Sequence, residues 1–363
     1  MSMTTSHSEQ LLFAGGEWLA PRSAARIEVE NPYSRTIVGV APDGDDGDVD
    51  TAVRAAREAF DHGPWPRMSP DERATMLERL ADELERRADD ISELVTDEIG
   101  QPIGMSRYVN GVMPAGQLRY FAGLIRDFPF EQERANVAGP GVSLVRLEPL
   151  GVAGLIVPWN YPQSLLSAKL APALAVGCTV VIKPAAETPL DALALAAAVE
   201  AVGFPPGVVN VVTGGRETGD ALVKHPGVDK IAFTGSTAAG RIIARNCGER
   251  LIPVTLELGG KSAAIVLDDA DLDVTLAALR GTSFMNSGQT CFLLSRILVP
   301  SSRRDEVVDG LVDVARSFRL GDPRDPATEL GPLVSGTIRP RARGFGARAR
   351  DRGAPRLPAG RSV

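Results

Sequence analysis

The segment Val152-Ala-Gly-Leu-Ile-Val157 is apolar throughout, and after a stretch of helical spacing Thr179-Val-Val-Ile182 repeats that pattern. The alternation of apolar run and helical segment continues through two further runs, 207–212 and 230–233. Fully apolar strands that alternate with helices are typical of a parallel sheet with both faces covered. The sequence therefore predicts an α/β protein with a Rossmann-like, doubly wound parallel sheet.

The chemically informative residues follow these apolar runs. In open α/β sheets, ligands bind beyond the carboxyl ends of the strands. We therefore expect a binding site near Asn160, Lys183, Gly214, Gly235 and Gly259.

The chain before Val152 gives turn and helix-start signals. They predict a hairpin at 13–18, a helix at 48–63 with Asp48 as its N-cap, a second helix from Ser69 to about Ile99, a third at 106–126, and a strand pair at 137–148.

Composition excludes several classes of protein. The 363 residues are enough for two domains, and a net charge of −7 gives no reason to expect nucleic-acid binding. No apolar run is long enough to cross a bilayer, and the N-terminus lacks the parts of a signal peptide. Three widely spaced cysteines form neither a disulfide framework nor a zinc site, which favours the cytoplasm.

Cys291 ends the polar turn Ser287-Gly-Gln-Thr-Cys. Most free cysteines are small buried hydrophobes, and we keep that interpretation for Cys178 and Cys247, which adjoin an apolar run and a helix. A thiol in a polar turn can approach a substrate, and backbone N–H groups there can lower its pKa and hold an oxyanion. The neighbours of Cys291 therefore favour a nucleophile.

Glu257 lies between apolar residues and precedes Gly259-Gly260. Glutamate is rarely buried without a reason. It is either half of a buried ion pair or a general base whose pKa is raised by an apolar setting. A carboxylate and a thiol on different glycine-flanked turns suit covalent catalysis.

Three other segments have two interpretations each. Asn160, within Pro158-Trp-Asn-Tyr-Pro162, is either a turn residue or an oxyanion donor. Gly235-Ser-Thr-Ala-Ala-Gly240 follows a strand and opens a helix, so a phosphate could approach there, although the segment is not G-x-G-x-x-G. Lys183 is either a ribose or phosphate ligand or a solvated lysine at a strand end.

The three histidines, His7, His62 and His225, lie outside these loops. A hydrolase with a serine–histidine or cysteine–histidine pair is therefore disfavoured. No cluster of carboxylates and histidines has the spacing of a metal site.

Five segments, taken together, resemble the NAD(P)-dependent aldehyde dehydrogenase superfamily in residues, order and spacing. They are Pro158-Trp-Asn-Tyr-Pro162, Lys183-Pro-Ala185, Phe233-Thr-Gly-Ser-Thr-Ala-Ala-Gly240, Leu256-Glu-Leu-Gly-Gly-Lys-Ser262 and Phe284-x-x-x-Gly-Gln-x-Cys291. The resemblance covers roughly residues 10–335.

The resemblance implies a set of catalytic roles. Cys291 would attack an aldehyde as a thiolate, and the side chain of Asn160 with the backbone N–H of Cys291 would hold the oxyanion. After hydride transfer to the nicotinamide, Glu257 would activate the water that hydrolyses the thioester. Lys169 matches a lysine near the active site.

The resemblance also implies a binding site for NAD or NADP. Lys183 would bind the adenosine ribose, and Ser236 with the nearby helix N-terminus would meet the pyrophosphate. The residues expected to line the rest of the cofactor site are Val157, Pro158, Trp159, Gly235, Gly240, Leu258 and Gly259.

Two local departures from the family pattern concern specificity. Ala186 stands where the family often has a glutamate that bonds the ribose hydroxyls, and Glu187 follows one place later, which weakens the case for strict use of NAD. Phe292 is bulky where the family usually has a small residue, so it would narrow the substrate tunnel shaped also by Tyr161 and Ala168.

The third departure is a change of composition after Gly331-Pro-Leu-Val334, where family members continue much further. From Gly336 the chain is rich in arginine, glycine, alanine and proline, without an apolar period. We expect a truncated chain with an aberrant tail, produced by a frameshift near Ser335. A basic regulatory tail is the alternative.

The expected organisation is an NAD(P)-binding domain (1–128 and 148–257), bridging or oligomerisation strands (129–147), a partial catalytic domain (258–335) and the tail (336–363).

The expected function is oxidation of a small-molecule aldehyde to a carboxylic acid, without nucleic-acid or membrane partners. Homo-oligomers are expected for a full-length relative. The alternatives are an inactive fragment that keeps a nucleotide-binding fold, and an enzyme that passes its acyl group to coenzyme A, against which Glu257 argues.

Overall fold

The computed structural model describes residues 10–352. They form two compact units. The first unit comprises the chain up to Val29, with Gly39–Ser92 and Arg107–Glu257, and the second comprises Glu30–Val38, Glu93–Ser106 and the chain from Leu258 onward. Which part of the chain binds a cofactor stays a prediction.

The strands in chain order are β1 (Leu12–Ala14), β2 (Glu17–Leu19), β3 (Arg26–Glu30), β4 (Ile37–Pro42), β5 (Glu131–Ala135), β6 (Val142–Arg146), β7 (Val152–Ile156), β8 (Thr179–Lys183), β9 (Val209–Val211), β10 (Lys230–Gly235), β11 (Val254–Leu258), β12 (Ala263–Ile265) and β13 (Arg296–Leu298).

The α-helices are α1 (Asp46–Asp61), α2 (Pro70–Arg86), α3 (Ala88–Ile99), α4 (Ile103–Ser106), α5 (Met113–Arg126), α6 (Pro162–Ala175), α7 (Pro189–Val202), α8 (Arg216–Lys224), α9 (Thr237–Arg250), α10 (Leu272–Ser283), α11 (Arg304–Ser317) and α12 (Ile338–Asp351). Short 3₁₀ turns lie at Trp65–Arg67 and Ser301–Arg303, a turn with left-handed residues lies at Met285–Gly288, and a π-helical segment lies at Arg107–Val112.

The first unit is built on a seven-stranded sheet with the order β11-β10-β7-β8-β9-β1-β2. Strands β10, β7, β8 and β9 are parallel neighbours, and every residue of β7 and β8 is buried. Helices α1, α8 and α9 contact one another or the sheet, and α6 and α7 form a second contacting group with α2. This arrangement confirms the predicted α/β fold, because fully apolar strands need a helical layer on each face.

The N-terminal hairpin makes this sheet mixed rather than wholly parallel. Strands β1 and β2 pair through Phe13 and Trp18, and Gly15 and Gly16 between them have φ of +65° and +82°. Two left-handed residues are what a tight hairpin turn requires, so the sequence located this hairpin correctly. The sequence did not reveal that β1 would also pair antiparallel with β9, through Phe13 and Val211.

All three helices predicted before Val152 differ from the structure, and the one expected at 106–126 consists of the π-helical segment Arg107–Val112 followed by α5. Helix α1 begins at Asp46 with Asp45 as its N-cap, and Asp48 completes a capping box from the third helical position. The single helix expected from Ser69 to Ile99 is divided into α2 and α3 at Arg87, which has φ −96° and ψ 3°. The Arg87 side chain there bonds Glu83, four residues earlier, and the carbonyl of Ala197, and only the second contact lies outside the reach of a sequence pattern.

The second unit contains the parallel pair β12–β13, in register from Ala263–Arg296 to Ile265–Leu298. Helices α10 and α11 pack together, and a Cβ at Gly310 would lie 2.4 Å from Leu276 Cδ1. The arginine-rich segment contains α12, although its composition shows no apolar period. Residues 353–363 of that tail lie outside the described part of the chain.

Candidate active site

A cavity of about 190 Å³ lies beyond the carboxyl ends of β7, β8 and β10. The chain continues from β7 to its neighbour β8 on one side, whereas β9 leads to β10 on the other side of β7. Such a switch of direction opens a crevice at the ends of the strands, which is where α/β proteins bind ligands. The cavity walls are mainly apolar, with contributions from Ile156, Val223, Phe233, Ile242 and Ile243.

Lys183 is the last residue of β8 and also lines this cavity. Its side chain is buried, so the interpretation as a solvated lysine is wrong. Burial lowers the pKa of Lys183 to about 8, and the carboxylates of Glu187, Asp43 and Glu217 act in the opposite direction. The cavity therefore contains a buried amine influenced by three acidic side chains.

Asp43 and Glu217 were not among the predicted site residues. Asp43 Oδ1 accepts a hydrogen bond from the backbone N–H of Gly215 at 2.9 Å, and Thr218 Oγ1 donates to the carbonyl of Gly44 at 2.6 Å. These bonds join the loop before α1 to the N-terminal end of α8. No spacing in the sequence signals a contact between segments so far apart in the chain.

Gly235 and Ser236 lie between β10 and α9, as the glycine-rich segment predicted. A Cβ at Gly235 would lie 2.5 Å from the ring of Phe233, so a larger residue there would require that ring to shift. Ser236 is the N-cap of α9, and its Oγ accepts the N–H of Ala239 at 3.2 Å. Its hydroxyl can still donate a hydrogen bond, and the first turn of a helix attracts anions. Gly240 is buried in the same turn region.

The segment 158–160 begins beside Lys183, because the N–H of Val157 donates to the Lys183 carbonyl at 3.1 Å. Pro158, Trp159 and Asn160 are half-buried. Tyr161 is buried and occupies the N-cap position of α6, which starts with Pro162. The helix therefore fixes one end of the segment and the β7–β8 pairing fixes the other. Both interpretations of Asn160 remain compatible with this geometry.

Glu257 is exposed on β11, so the expectation of an apolar setting is wrong, and so is that of a buried ion pair. Strand β11 is the edge strand of the sheet, and burial alternates along it. Lys169, on α6, is half-buried. Burial lowers the pKa of Lys169, the charge of Glu257 raises it, and Lys230 lowers it. The first unit thus places the carboxylate of Glu257 within electrostatic reach of Lys169.

Cys291 lies in the second unit, exposed on a turn that follows the short segment Met285–Gly288. Its neighbour Phe292 is 57 % exposed, whereas Leu293 is buried. The polar turn predicted from the sequence is confirmed. Leu258 and Gly259 also belong to the second unit. Leu258 is half-buried, Gly259 is exposed, and a Cβ at Gly259 would meet nothing within 4 Å.

Cys178 and Cys247 are buried, and burial raises the pKa of both thiols. The core interpretation of these two cysteines is confirmed. His62 is exposed and His225 contacts Asp50 at 3.3 Å, while His7 lies outside the described residues.

Within residues 10–352, no group of histidine, cysteine and acidic side chains is arranged to hold a metal ion. None of the helices in that range combines the length and the apolar character needed to cross a membrane.

Comparisons with known proteins agree with this geometry. The profile of the aldehyde dehydrogenase family matches residues 18–362, which extends past residue 335 into the arginine-rich segment. The chain is 46% identical over 337 residues to geranial dehydrogenase of Castellaniella defragrans, covering 93% of this chain and 70% of that protein. It is 41% identical over 326 residues to 3-succinoylsemialdehyde-pyridine dehydrogenase of a Pseudomonas species, covering 89% of this chain and 67% of that protein.

Two solved structures are similar to this one. An aldehyde dehydrogenase of Mycobacterium tuberculosis in complex with NAD+ has a TM-score of 0.92 and 44% identity, covering 95% of this chain and 71% of that chain. A mutant of aldehyde dehydrogenase C from Pseudomonas syringae, in complex with NAD+ and octanal, has a TM-score of 0.92 and 34% identity. The match covers 97% of this chain and 71% of that chain.

Proposed function

This chain belongs to the aldehyde dehydrogenase family, and from that premise we propose that it oxidises an aldehyde to a carboxylic acid with Cys291 as the nucleophile and Glu257 as the base. The observation that carries the proposal is the contrast among the three cysteines. Cys178 and Cys247 are buried, whereas Cys291 is exposed on a polar turn. Only an accessible thiol can attack a substrate.

The residues present fit a dinucleotide. The apolar cavity beyond β7, β8 and β10 suits a flat aromatic base, Lys183 lies at its wall, and the N-terminus of α9 suits a phosphate. The dinucleotide, when bound, supplies the acceptor for a hydride from the substrate carbon.

The chain's own residues account for the other steps. The sulfur of Cys291 forms a bond to the aldehyde carbon, and the carbonyl electron pair moves to the oxygen, where Asn160 and the N–H of Cys291 stabilise it. Loss of hydride from this thiohemiacetal gives a thioester on Cys291. Glu257 then takes a proton from water, the water oxygen attacks the thioester carbon, and the bond to sulfur breaks. Lys169 would act on this step through its charge beside Glu257.

We propose a preference for NAD+ over NADP+. The carboxylates of Glu187, Asp43 and Glu217 all act on Lys183, so a second phosphate on the ribose would meet negative charge. Glu187 would thereby supply the carboxylate that Ala186 lacks. A Glu187→Gln variant should lower the ratio of NADP+ to NAD+ dissociation constants, measured by calorimetry, and an unchanged ratio would count against this assignment.

We propose hydrocarbon-chain aldehydes as the first substrates to test. Geranial and octanal are named with two of the similar proteins. An exposed phenyl ring at Phe292, beside the thiol, offers apolar contact to such a chain.

We also propose a cytoplasmic location, because three free cysteines suit a reducing compartment. We predict homo-oligomers for a full-length relative rather than for this chain, with the hairpin β5–β6, whose Val142 and Leu144 are exposed, as the candidate surface.

The direct test is a Cys291→Ser variant assayed for NADH formation with octanal, beside wild type and a Cys247→Ala control. We expect kcat to fall by at least about 10³-fold in Cys291→Ser and by little in the control. Full activity in Cys291→Ser would remove the nucleophile assignment. A wild-type chain that binds NAD+ and oxidises no aldehyde would favour the nucleotide-binding alternative.

A further inference from the structure

Three consecutive residues before the catalytic turn adopt left-handed backbone conformations. Asn286, Ser287 and Gly288 have φ of +51°, +55° and +83°. Glycine adopts such angles freely, but asparagine and serine do so at an energetic cost. A strained segment of this kind persists only when contacts around it fix the conformation.

The side chains of Ser287 and Gln289 make contacts of this kind. Ser287 Oγ donates a hydrogen bond to the carbonyl of Gly331 at 2.7 Å. Gln289 Oε1 accepts the N–H of Val334 at 2.9 Å, and its Nε2 donates to the carbonyl of Asn286 at 3.2 Å. One amide therefore binds both the strained residue and a segment 45 positions away in the chain.

That distant segment, Gly331–Val334, is called the anchoring segment here, and it is itself fixed by close backbone packing. A Cβ at Gly331 would lie 2.0 Å from the carbonyl oxygen of Gly100, and a Cβ at Gly100 would lie 2.4 Å from Pro332 Cγ. Gly100 follows directly after α3 and has φ of +70°. The end of a helix thus holds the anchoring segment in one position.

The other end of the turn is closed by separate bonds. The N–H of Leu294 donates to the carbonyl of Thr282 at 3.1 Å, and Ser283 Oγ donates to the Leu294 carbonyl at 2.8 Å. The buried side chain of Leu293 reinforces this closure. Cys291 therefore lies on a short loop whose base is closed, and Ser287 and Gln289 bind the left-handed side of that loop.

We propose that Ser287 and Gln289 are positioning residues for Cys291, and that the anchoring segment Gly331–Val334 sets the orientation of the thiol through them. The consequence for catalysis rests on the proposed function of Cys291. A misplacement of a reacting atom by about 1 Å can cost about 100-fold in rate, so these bonds would act on kcat more than on KM.

The first test does not require activity. Amide hydrogen exchange of the peptide covering 284–294 is measured in the full chain for wild type, Ser287→Ala and Gln289→Met, with Ser295→Ala as the control. Among the described residues Ser295 has only a backbone hydrogen bond, and it is exposed. We expect exchange to be about 5-fold or more faster in Ser287→Ala and Gln289→Met, and unchanged in Ser295→Ala. Unchanged exchange in both variants would overturn the proposal.

The second test separates positioning from stability. Ser287→Gly removes the hydrogen bond from Ser287 to Gly331 but also relieves the left-handed strain at position 287. It should therefore melt at a higher temperature than Ser287→Ala. Both should lower kcat by about 10- to 100-fold with KM within about 3-fold of wild type. If kcat follows the melting temperature and recovers in Ser287→Gly, the role is structural and the proposal fails.

The two hypotheses fail in different ways. If Cys291→Ser keeps its activity while hydrogen exchange of 284–294 is faster in the Ser287 and Gln289 variants, the proposed function of Cys291 is wrong, but Ser287 and Gln289 do hold the turn in place. If Cys291→Ser is inactive and the Ser287 and Gln289 variants keep wild-type exchange and kcat, the positioning role is wrong and the proposed function of Cys291 stands.

Discussion

The cavity around Lys183 and the turn around Cys291 place their reactive groups by different physical means. Lys183 ends a fully buried parallel strand, and its environment consists of buried apolar side chains with three carboxylates. Cys291 is exposed, and its surroundings are fixed by left-handed backbone angles and two side-chain tethers. Burial at the end of a sheet strand therefore sets the pKa of Lys183, whereas local backbone conformation sets the position of Cys291.

This difference predicts two kinds of sensitivity. A site made by burial should respond to changes of charge, volume and pH. A site made by backbone conformation should respond to the loss of single hydrogen bonds and to glycine substitutions in its loop.

The largest effect is expected for Glu257→Gln, because this change removes the proposed base. Glu257 belongs to neither kind of site and is exposed on an edge strand. If it is the base, kcat should fall about 10³-fold while the first turnover still releases NADH in a burst, since only thioester hydrolysis is blocked. Rapid-mixing kinetics measures the burst. Glu249→Gln, at the exposed end of α9, is the matched control. Normal steady-state turnover in Glu257→Gln would contradict the role.

Lys183→Met should weaken NAD+ binding by about 30- to 100-fold, because the three carboxylates near the cavity lose their buried counter-charge. The wild-type lysine is charged below its pKa of about 8, so NAD+ affinity should decline as the pH rises through about 8, and this decline should be absent in the variant. Calorimetric titration across that range measures both effects. Lys224→Met, at an exposed lysine paired with Asp220, serves as the control. A pH-independent wild-type affinity would remove the buried-amine explanation.

Two glycine substitutions compare the sites directly. In Gly214→Ala the new Cβ would lie 2.1 Å from Thr218 Oγ1, a clash within buried packing that we expect to cost about 1–3 kcal/mol. In Gly288→Ala the Cβ meets nothing within 4 Å, and only the φ of +83° opposes it, which we expect to cost about 1 kcal/mol. Thermal melting measures the stabilities. Equal activities in the two variants, at a temperature where both are folded, would break the comparison, because Gly288→Ala should also disturb the thiol.

The smallest effect is expected for Phe292→Ala. Its ring is 57 % exposed beside Cys291, so its removal should raise KM for octanal by about 3- to 10-fold and leave kcat near wild type. A series of aldehydes of increasing chain length measures the change. If KM for short and long chains changes equally, the ring does not contact the chain.

Much of the fold was predictable because it depends on local sequence patterns of apolar and turn-forming residues. The apolar runs at 152–157 and 179–182 are strands with buried faces, and the two glycines after Ala14 make the expected hairpin. The glycine-rich segment after β10 opens a helix, and the turn before Cys291 is polar and exposed. Each of these features depends on residues within a few positions of one another.

Patterns of neighbouring residues were therefore enough to predict the α/β class, the order of the strand-end loops and the difference between Cys291 and the two core cysteines. Only the tertiary structure placed Asp43 and Glu217 near Lys183, exposed Glu257 on an edge strand and bound Gln289 to Val334. The physical reason is that periodicity and turn propensity are properties of neighbouring residues. Burial, counter-charge and close backbone approach depend on segments that meet only after the chain has folded.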